Sequence, residues 1–568
     1  MRPKDYRRLE SAEEVEEYLR AIPRGSLVAV AVETAAGSES LDLGDEAAVG
    51  LSWKPGEARG IPGRHAGLLR PLLEGEEPAK AACDAKAVTL AMHRLGLKPR
   101  NMAHDVMLYA FLLDADPAGC SLVEMARRRL DIKLAGAAEA HAACVLELMG
   151  KLSADVDTRG MRHLYETIDL PLAGVLARME GAGIRVDPVE LRRLSGHMDG
   201  ELQRLTIEIH ALAGKAFNIN SPQQLGKILF EDLNLPAPLR YGKGKVVSTA
   251  ADVLEELAPL HEIVRKVLDF RQISKLKGTY VDALPELIDA ADGRLHTSFN
   301  QAGAATGRLS SSNPNLQNIP IRTELGREIR AAFVPREGWR LVVADYSQIE
   351  LRLLAHMSHD ETLVDAFRHN EDIHTRTAAE VFGVGPMGVT PELRRAAKAV
   401  NFGIVYGISA FGLAAQLSIP RGEADKYIKA YFARYSGVKR FIEETISEVR
   451  RSGVTRTLFG RERPIPDINS KNPNARGFAE RTAVNSPLQG TAADLIKLAM
   501  IRIDDALREQ GLASRMLLQV HDELLFEAPP EEAEALSEMV KQKMEQVCEL
   551  EVPLVADVGL GANWRDAK

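Results

Sequence analysis

Cysteine is scarce: Cys83, Cys120, Cys144 and Cys548 are the four present, and none stands in a C-x-x-C pair. That spacing argues against a zinc ribbon or a disulfide framework and suits a reducing compartment. Long apolar runs are missing as well. No stretch reaches the roughly 18 residues of a membrane span, and MRPKDYRRLESAEEVEEYL at the start has charges where a secretory signal needs an apolar region. These absences predict a soluble, intracellular chain with no membrane partner. A basic excess is also lacking, since 72 Lys and Arg against 80 Asp and Glu leave a net charge of -8. A nucleic-acid footprint is ordinarily basic. Local clusters such as Tyr241–Lys245 (YGKGK), Lys275 with Lys277, and Arg394 with Arg395 can still line a groove while acidic faces look away. Taken singly, such clusters are more often solvated faces. With 568 residues and 45% hydrophobic content, two to four domains are expected.

The stretch Leu341–Glu350, LVVADYSQIE, organises the rest. Leu341, Val342, Val343 and Ala344 form a short apolar run with β-branched members, which predicts a buried strand, and the run ends in Asp345. A carboxylate there costs several kcal/mol unless paired, and no Lys or Arg follows before Arg352. A metal cation is one partner; capping of the following helix is the other. Downstream, Met516–Glu527, MLLQVHDELLFE, reads as a hairpin with an acidic tip. Its turn residues, His521 and Asp522, are not the Gly or Asn that turn chemistry favours. Two strands that each deliver an aspartate to one sheet edge suit a pair of divalent ions about 3.5–4 Å apart, the arrangement used for in-line phosphoryl transfer.

Between them, TPELRRAAKAVNFGIVYG at Thr390–Gly407 predicts a helix with Thr390 as N-cap and Pro391 in its first turn. Arg394, Lys398, Phe402 and Tyr406 recur every four residues and share one broad face. Two cations and two aromatics suit a ligand with a polyphosphate end and a flat base end.

In this order the three stretches resemble motifs A, B and C of family A DNA polymerases, in the form of the Klenow-like large fragment of bacterial polymerase I, and the likeness extends over about residues 160–568. DYSQIELR at Asp345–Arg352, R-x-x-x-K-x-x-x-F-x-x-x-Y-G from Arg394 to Gly407, and HDE at His521–Glu523 carry it. The resemblance implies an α/β multidomain chain: a right hand of palm, fingers and thumb with an antiparallel palm sheet, preceded by an RNase H-like 3′–5′ exonuclease-type α/β domain. The expected divisions are exonuclease-like 1–155, thumb 156–290, palm 291–350 with 481–568, and fingers 351–480.

It further implies a monomeric, cytoplasmic, nucleoid-associated bacterial enzyme that adds dNMP from dNTPs to the 3′-hydroxyl of primer-template DNA in repair and gap filling. Asp345, Asp522 and the backbone carbonyl of Tyr346 would hold two Mg²⁺ ions, with Mn²⁺ as a substitute, and Glu523 would be a supporting catalytic carboxylate. Arg394 and Lys398 would hold the β- and γ-phosphates, with Lys398 placed to protonate pyrophosphate. Phe402, Tyr406, Gln348, Glu350 and His374 would complete the dNTP site, with Arg322 also meeting the triphosphate. The local pattern around His374 alone reads as a surface histidine. Glu350 would lie beneath the ribose 2′ position and select dNTP, and Phe402 in place of Tyr implies discrimination against dideoxynucleotides. Arg308 would reach the minor groove, where an N3 or O2 acceptor is present for every correct pair. Arg481, Asn485, Gln489 and His521 would meet template and primer, and Lys275 and Lys277 would meet phosphates.

The N-terminal stretch departs from the family. Its D-x-E strand motif is here Ala31-Val32-Glu33, and its Y-x-x-x-D motif falls on Ala137–His141, so Glu33 and Asp84 are left without the other acids. A degenerate exonuclease, kept as a scaffold, is expected. Further along, RLHTSFN at Arg294–Asn300 reads as a palm strand. A helix is expected to be interrupted near Pro487, and GLGANW in the tail lacks the full dinucleotide-binding pattern. Two other readings remain open at this point, a single-subunit RNA polymerase and a non-catalytic DNA-binding scaffold. Glu350 speaks against the first and the joint presence of Asp345, Asp522, Lys398 and Arg394 against the second.

Overall fold

The computed structural model describes residues 4–33, 47–134, 136–237, 248–321 and 323–568. The basic stretch Tyr241–Lys245 and Arg322 lie outside these residues, as do Val246 and Val247 of the segment before the helix Ala251–Leu257. Among the described residues, no helix is long and apolar enough to cross a membrane.

The first sheet has six strands in the order Asp5–Arg8, Glu57–Pro62, Ala48–Lys54, Leu27–Glu33, Ala79–Ala82 and Met102–Asp105. The run LVAVAV is apolar at every position because both faces of its strand are covered. Val28 and Val30 face one core and Ala29 the other, beneath the helix Ala138–Thr158.

A second, four-stranded antiparallel sheet holds Arg515–Val520, Glu523–Ala528, Arg340–Tyr346 and Ala556–Gly561 in that spatial order. Leu341, Val342, Val343 and Ala344 are buried at the centre of the largest apolar cluster. Each larger aliphatic there contributes about 1.5–3 kcal/mol of burial. A one-residue slip in register would pull Asp345 off the sheet edge into that core, so the same apolar run fixes where the carboxylate stands. The segment RLHTSFN does not join this sheet. Its strand is Ser298–Asn300, paired with Ser310–Ser312 in a separate two-stranded sheet, because alternation marks a strand without naming its partner. The fourth strand is instead the glycine-bearing Ala556–Gly561.

Helices Pro188–Ala213 and Glu262–Leu276 pack together over their own core, which includes Leu205, Ile209, Val264 and Val267. Between the strand Arg340–Tyr346 and the helix Pro473–Glu509 the chain is mainly helical, from Ile349–Ser358 through Ser436–Ser452. The expected break at Pro487 does not occur: Pro473–Glu509 is one helix of 37 residues. Proline at 487 leaves the Ala483 carbonyl without its helical donor, and Thr455 Oγ1 supplies one from outside at 3.0 Å.

Candidate active site

Asp345 lies near the end of its strand, opposite Glu523 on one neighbour and Asp557 on the other. The hairpin tip is tied to the same edge, since Tyr346 N donates to the Asp522 carbonyl at 3.1 Å. His521 adopts φ 56°, a left-handed conformation unusual for a side chain of its size, and the Gln519 amide holds its carbonyl. The turn is therefore secured by a neighbouring side chain where glycine would have sufficed, and Asp522 is presented beside Asp345.

The two aspartates differ in their partners. Among the described residues, the Asp522 carboxylate accepts no hydrogen bond and forms no ion pair. Burial pushes its pKa up to about 6, with Glu350 and Asp345 adding to the shift and Arg308 opposing it. Asp345 is raised in the same direction, by burial first and then by Glu523 and Asp557, while Lys568 opposes. A half-buried acid pair with one partnerless member suits a divalent cation. Mg²⁺ ordinarily takes one or two protein carboxylates and completes its shell with water and substrate phosphate. Tyr346 follows Asp345 at the same end of the strand, where its N–H donates to the Asp522 carbonyl. Glu523, by contrast, is 2% exposed and fully engaged by Trp564 Nε1 at 2.5 Å, Arg330 Nη1 at 3.4 Å and Lys568 Nζ. It anchors the edge from below. A separate cluster, Asp289, Asp292 and His296, brings three ligand atoms within 4.8 Å of one another, but it belongs to a different part of the chain from the Asp345–Asp522 edge.

The helix after Thr390 runs Pro391–Val405, with Tyr406 as its C-cap and Thr390 Oγ1 accepting from Leu393 N. Arg394 is exposed and paired with Asp372 at 2.7 Å. The Lys398 ammonium lies 6.0 Å from the Phe402 ring centroid. His374 is buried, not at the surface: its ring lies 5.8 Å from that of Phe402 and its Nδ1 accepts from Asn401 at 3.0 Å. Burial lowers its pKa to about 4, helped by Lys398 and Arg394 and opposed by Asp372. The imidazole is thus neutral, and with Nδ1 accepting from Asn401 the remaining N–H is on Nε2, which can donate a hydrogen bond to an anionic oxygen.

Glu350 links helix and sheet. It is buried, and it accepts from Arg308 at 2.6 Å and from the Tyr406 hydroxyl at 2.7 Å. Gln348 adopts φ 54° and its Oε1 is buried without a partner; Asn485 Oδ1 is also unpartnered. Unmet buried acceptors at residues expected to contact nucleotide or DNA are notable, since such groups are ordinarily satisfied. Arg308, His521 and Asp522 line one small cavity with Gln317 and Gln519. Arg481 packs against the turn after the helix so closely that a Cβ on Gly407, itself at φ +67°, would lie 2.6 Å from Arg481 Cγ. Gln489 is half-buried on the same long helix. On the helix pair, Lys275 is exposed, whereas Lys277 Nζ is held by Asp282 at 2.8 Å and Asp199 at 3.2 Å. A phosphate at Lys277 would have to share or displace those carboxylates.

In the N-terminal sheet, Glu33 Oε2 accepts from Ala138 N at 3.2 Å, capping the helix whose N-cap is Ala137. A Cβ on Gly50 would lie 1.9 Å from the Ala138 carbonyl, so this helix start is pressed onto the neighbouring strand. His141 lies one turn into that helix, Ala31 sits within the strand Leu27–Glu33, and Asp84 caps the helix Ala85–Arg94. Among the described residues, Glu33 and Asp84 each serve the start of a different helix. Sequence reasoning missed Arg330, Trp564 and Lys568, which surround Glu523; no motif spacing marks them.

A sequence model described as DNA polymerase family A matches residues 189–566. The chain belongs to DNA polymerase family A. It is 45% identical to DNA polymerase I of Geobacillus stearothermophilus over 518 residues, covering 87% of this chain and 59% of that protein. It is 47% identical to the thermostable DNA polymerase I of Thermus aquaticus over 505 residues, covering 87% and 60%. The chain therefore spans about three fifths of these curated relatives. Among solved structures, the POL domain of Pol1 from M. smegmatis, in complex with DNA primer-template and dNTP, aligns with TM-score 0.90 and 38% identity, covering 99% of this chain and 100% of that one. The expected α/β family A polymerase architecture, preceded by an N-terminal α/β region, is thus the fold of this chain.

Proposed function

We propose that the chain is a template-directed DNA polymerase that extends a primer 3′-hydroxyl with dNMP, releases pyrophosphate, and acts as a monomer in gap filling during replication and repair. The observation that carries this reading is the meeting of Asp345 and Asp522 on one sheet edge, tied through Glu350 and Tyr406 to the helix that bears Arg394, Lys398 and Phe402. Two bound Mg²⁺ or Mn²⁺ ions would supply a lowered pKa for the attacking hydroxyl and charge neutralisation on the triphosphate. Arg394, released from Asp372, and Lys398 grip the outer phosphates, with Lys398 supplying a proton to the leaving pyrophosphate. His374 donates a hydrogen bond from its Nε2–H to the same polyphosphate. Phe402 stacks on the nucleotide, Arg308, Arg481, Asn485, Gln489 and His521 follow primer and template, and Lys275 holds product phosphates. Residues 351–480 act as fingers, 291–350 with 481–568 as palm, and 156–290 as thumb. The N-terminal domain, with Glu33 committed to a helix cap, serves as a scaffold without proofreading.

Extension of a labelled primer on a DNA template with Mg²⁺ tests the reading. Template-copied products with dNTPs, lost in Asp345→Asn and Asp522→Asn proteins that remain folded by circular dichroism, are expected. DNA binding without extension would replace the proposal with the scaffold reading, and faster extension with rNTPs would replace it with the RNA polymerase reading.

A further inference from the structure

The glycine-bearing tail that resembles no phosphate-binding loop has a different use. Trp564 is fully buried, donates its backbone N–H to the Phe333 carbonyl at 3.0 Å and its indole N–H to Glu523 at 2.5 Å. Beyond it the chain lies flat on the sheet: a Cβ on Gly559 would meet the Ala567 carbonyl at 2.2 Å, and one on Gly561 would meet Ala567 N at 2.4 Å. Ala567 is buried, its N–H bonds to the Asn563 carbonyl at 3.1 Å, and Asn563 and Asp566 exchange two further hydrogen bonds of 2.7 and 2.9 Å. Each of these contacts fixes the backbone that carries Lys568. The side chain reaches the catalytic edge, where Nζ lies 3.2 Å from Asp345 Oδ2 and also bonds Glu523 Oε2. Among the described residues, Lys568 is the one ion-pair partner of Asp345.

We infer that Lys568 is a positioning residue: a tethered cation that holds Asp345 in place between turnovers and is exchanged for the divalent ion when metal and nucleotide arrive. This deepens the polymerase reading and rests on it, since it takes Asp345 as a metal ligand. The ammonium and the ion compete for one carboxylate oxygen, so each weakens the binding of the other by the same factor. Glu523 keeps the lysine close when it is displaced. It therefore stays within reach of Asp345 and re-forms the pair once the ion leaves.

Manganese binding without DNA or nucleotide, followed by electron paramagnetic resonance, tests the inference. Lys568→Met should bind Mn²⁺ more tightly by about 5- to 150-fold, the span of a typical coupling free energy. The same variant should melt lower than wild type in EDTA and regain the difference with Mn²⁺, while Lys568→Arg stays near wild type in both measurements. Unchanged or weaker Mn²⁺ affinity in Lys568→Met overturns the inference. Should Lys568→Met itself fail to fold, an unaltered affinity in Lys568→Gln decides in the same way. Asp345→Asn and Asp522→Asn serve as reference variants. If wild-type Mn²⁺ binding is insensitive to both, the fault lies with the catalytic reading and not with the role of Lys568.

Discussion

The hydroxyl of Tyr406 donates to Glu350 Oε2 at 2.7 Å, so the carboxylate expected beneath the ribose is also the contact that joins the end of the nucleotide helix to the palm. Its other oxygen accepts from Arg308. With both oxygens engaged, the carboxylate has no freedom to turn away from a 2′-hydroxyl. Glu350→Ala is expected to lower the dNTP-over-rNTP ratio of kcat/KM by about a hundredfold, the scale on which a pocket without a polar reader discriminates a hydroxyl. Tyr406→Phe keeps the carboxylate and its Arg308 contact but frees the other oxygen, and should lower the ratio by less than Glu350→Ala does. An unchanged ratio in Glu350→Ala would remove Glu350 from sugar selection.

The metal-facing acids should separate from the anchoring acid in a melting experiment. Asp522 has no protein partner among the described residues, so Asp522→Asn is expected to abolish extension while leaving the melting temperature in EDTA equal to or above that of wild type. Glu523 carries Trp564, Arg330 and Lys568 in a buried setting. Glu523→Ala strands two cations and an indole N–H, and is expected to cost about 3–5 kcal/mol by denaturant unfolding. Equal stability losses in the two variants would contradict this division of roles.

For the N-terminal domain, the expected outcome is no 3′–5′ removal of a mismatched primer terminus with Mg²⁺ or Mn²⁺. Glu33 is spent on the Ala138 N–H, and the helix start at Ala138 lies against Gly50. Release of mononucleotides that is abolished by Glu33→Gln would contradict the scaffold role.

What the sequence made legible were features whose cause is local. The run Leu341–Ala344 ends in an acid, the hairpin arms flank His521 and Asp522, and Thr390 and Pro391 cap a helix; each follows from residues within one turn or one strand. Features with distant causes were hidden. Ala556–Gly561 reads poorly as a strand because Gly559 and Gly561 answer to the backbone of Ala567 above them. His374 reads as a surface residue because Asn401 and Phe402, which bury it, lie on another helix. Lys568 had no motif to mark it, since its partners come from Asp345 and Glu523 on two separate strands.

A buried charge cluster contributes to stability at acid pH. Arg461 bonds Asp169 through both terminal nitrogens, at 2.9 and 2.8 Å, and Asp494 through Nε at 2.8 Å; Lys497 Nζ lies 3.3 Å from Asp169. Burial alone would raise the Asp169 pKa, but the charges of Arg461 and Lys497 outweigh it and hold it near 2. A depressed folded-state pKa gives stability that is present above the unfolded value of about 3.9 and is lost as pH falls toward 2. Asp169→Asn is expected to flatten that acid limb in a pH series of unfolding free energies, and to cost about 3–5 kcal/mol at pH 7 by leaving Arg461 and Lys497 with one carboxylate between them. A steep acid limb that survives in the variant would place its origin elsewhere.

Where the long helix passes Pro487, a hydroxyl from outside it bonds the carbonyl that proline leaves without a helical donor. Thr455 is buried, and its Oγ1 gives the Ala483 carbonyl the hydrogen bond that a non-proline residue at 487 would have given. Thr455→Val keeps the shape and removes the donor, stranding a buried carbonyl at a cost of about 1–3 kcal/mol. In a Pro487→Ala background the backbone N–H restored at this position can reach that carbonyl, so the same Thr455→Val change should cost far less. The two substitutions should therefore couple by about 1 kcal/mol or more in a double-mutant cycle of unfolding free energies. Strict additivity would mean that the Ala483 carbonyl does not need Thr455. The helix would then cross Pro487 on packing alone, and the positions of Asn485 and Gln489 would have to be secured by the core beneath them.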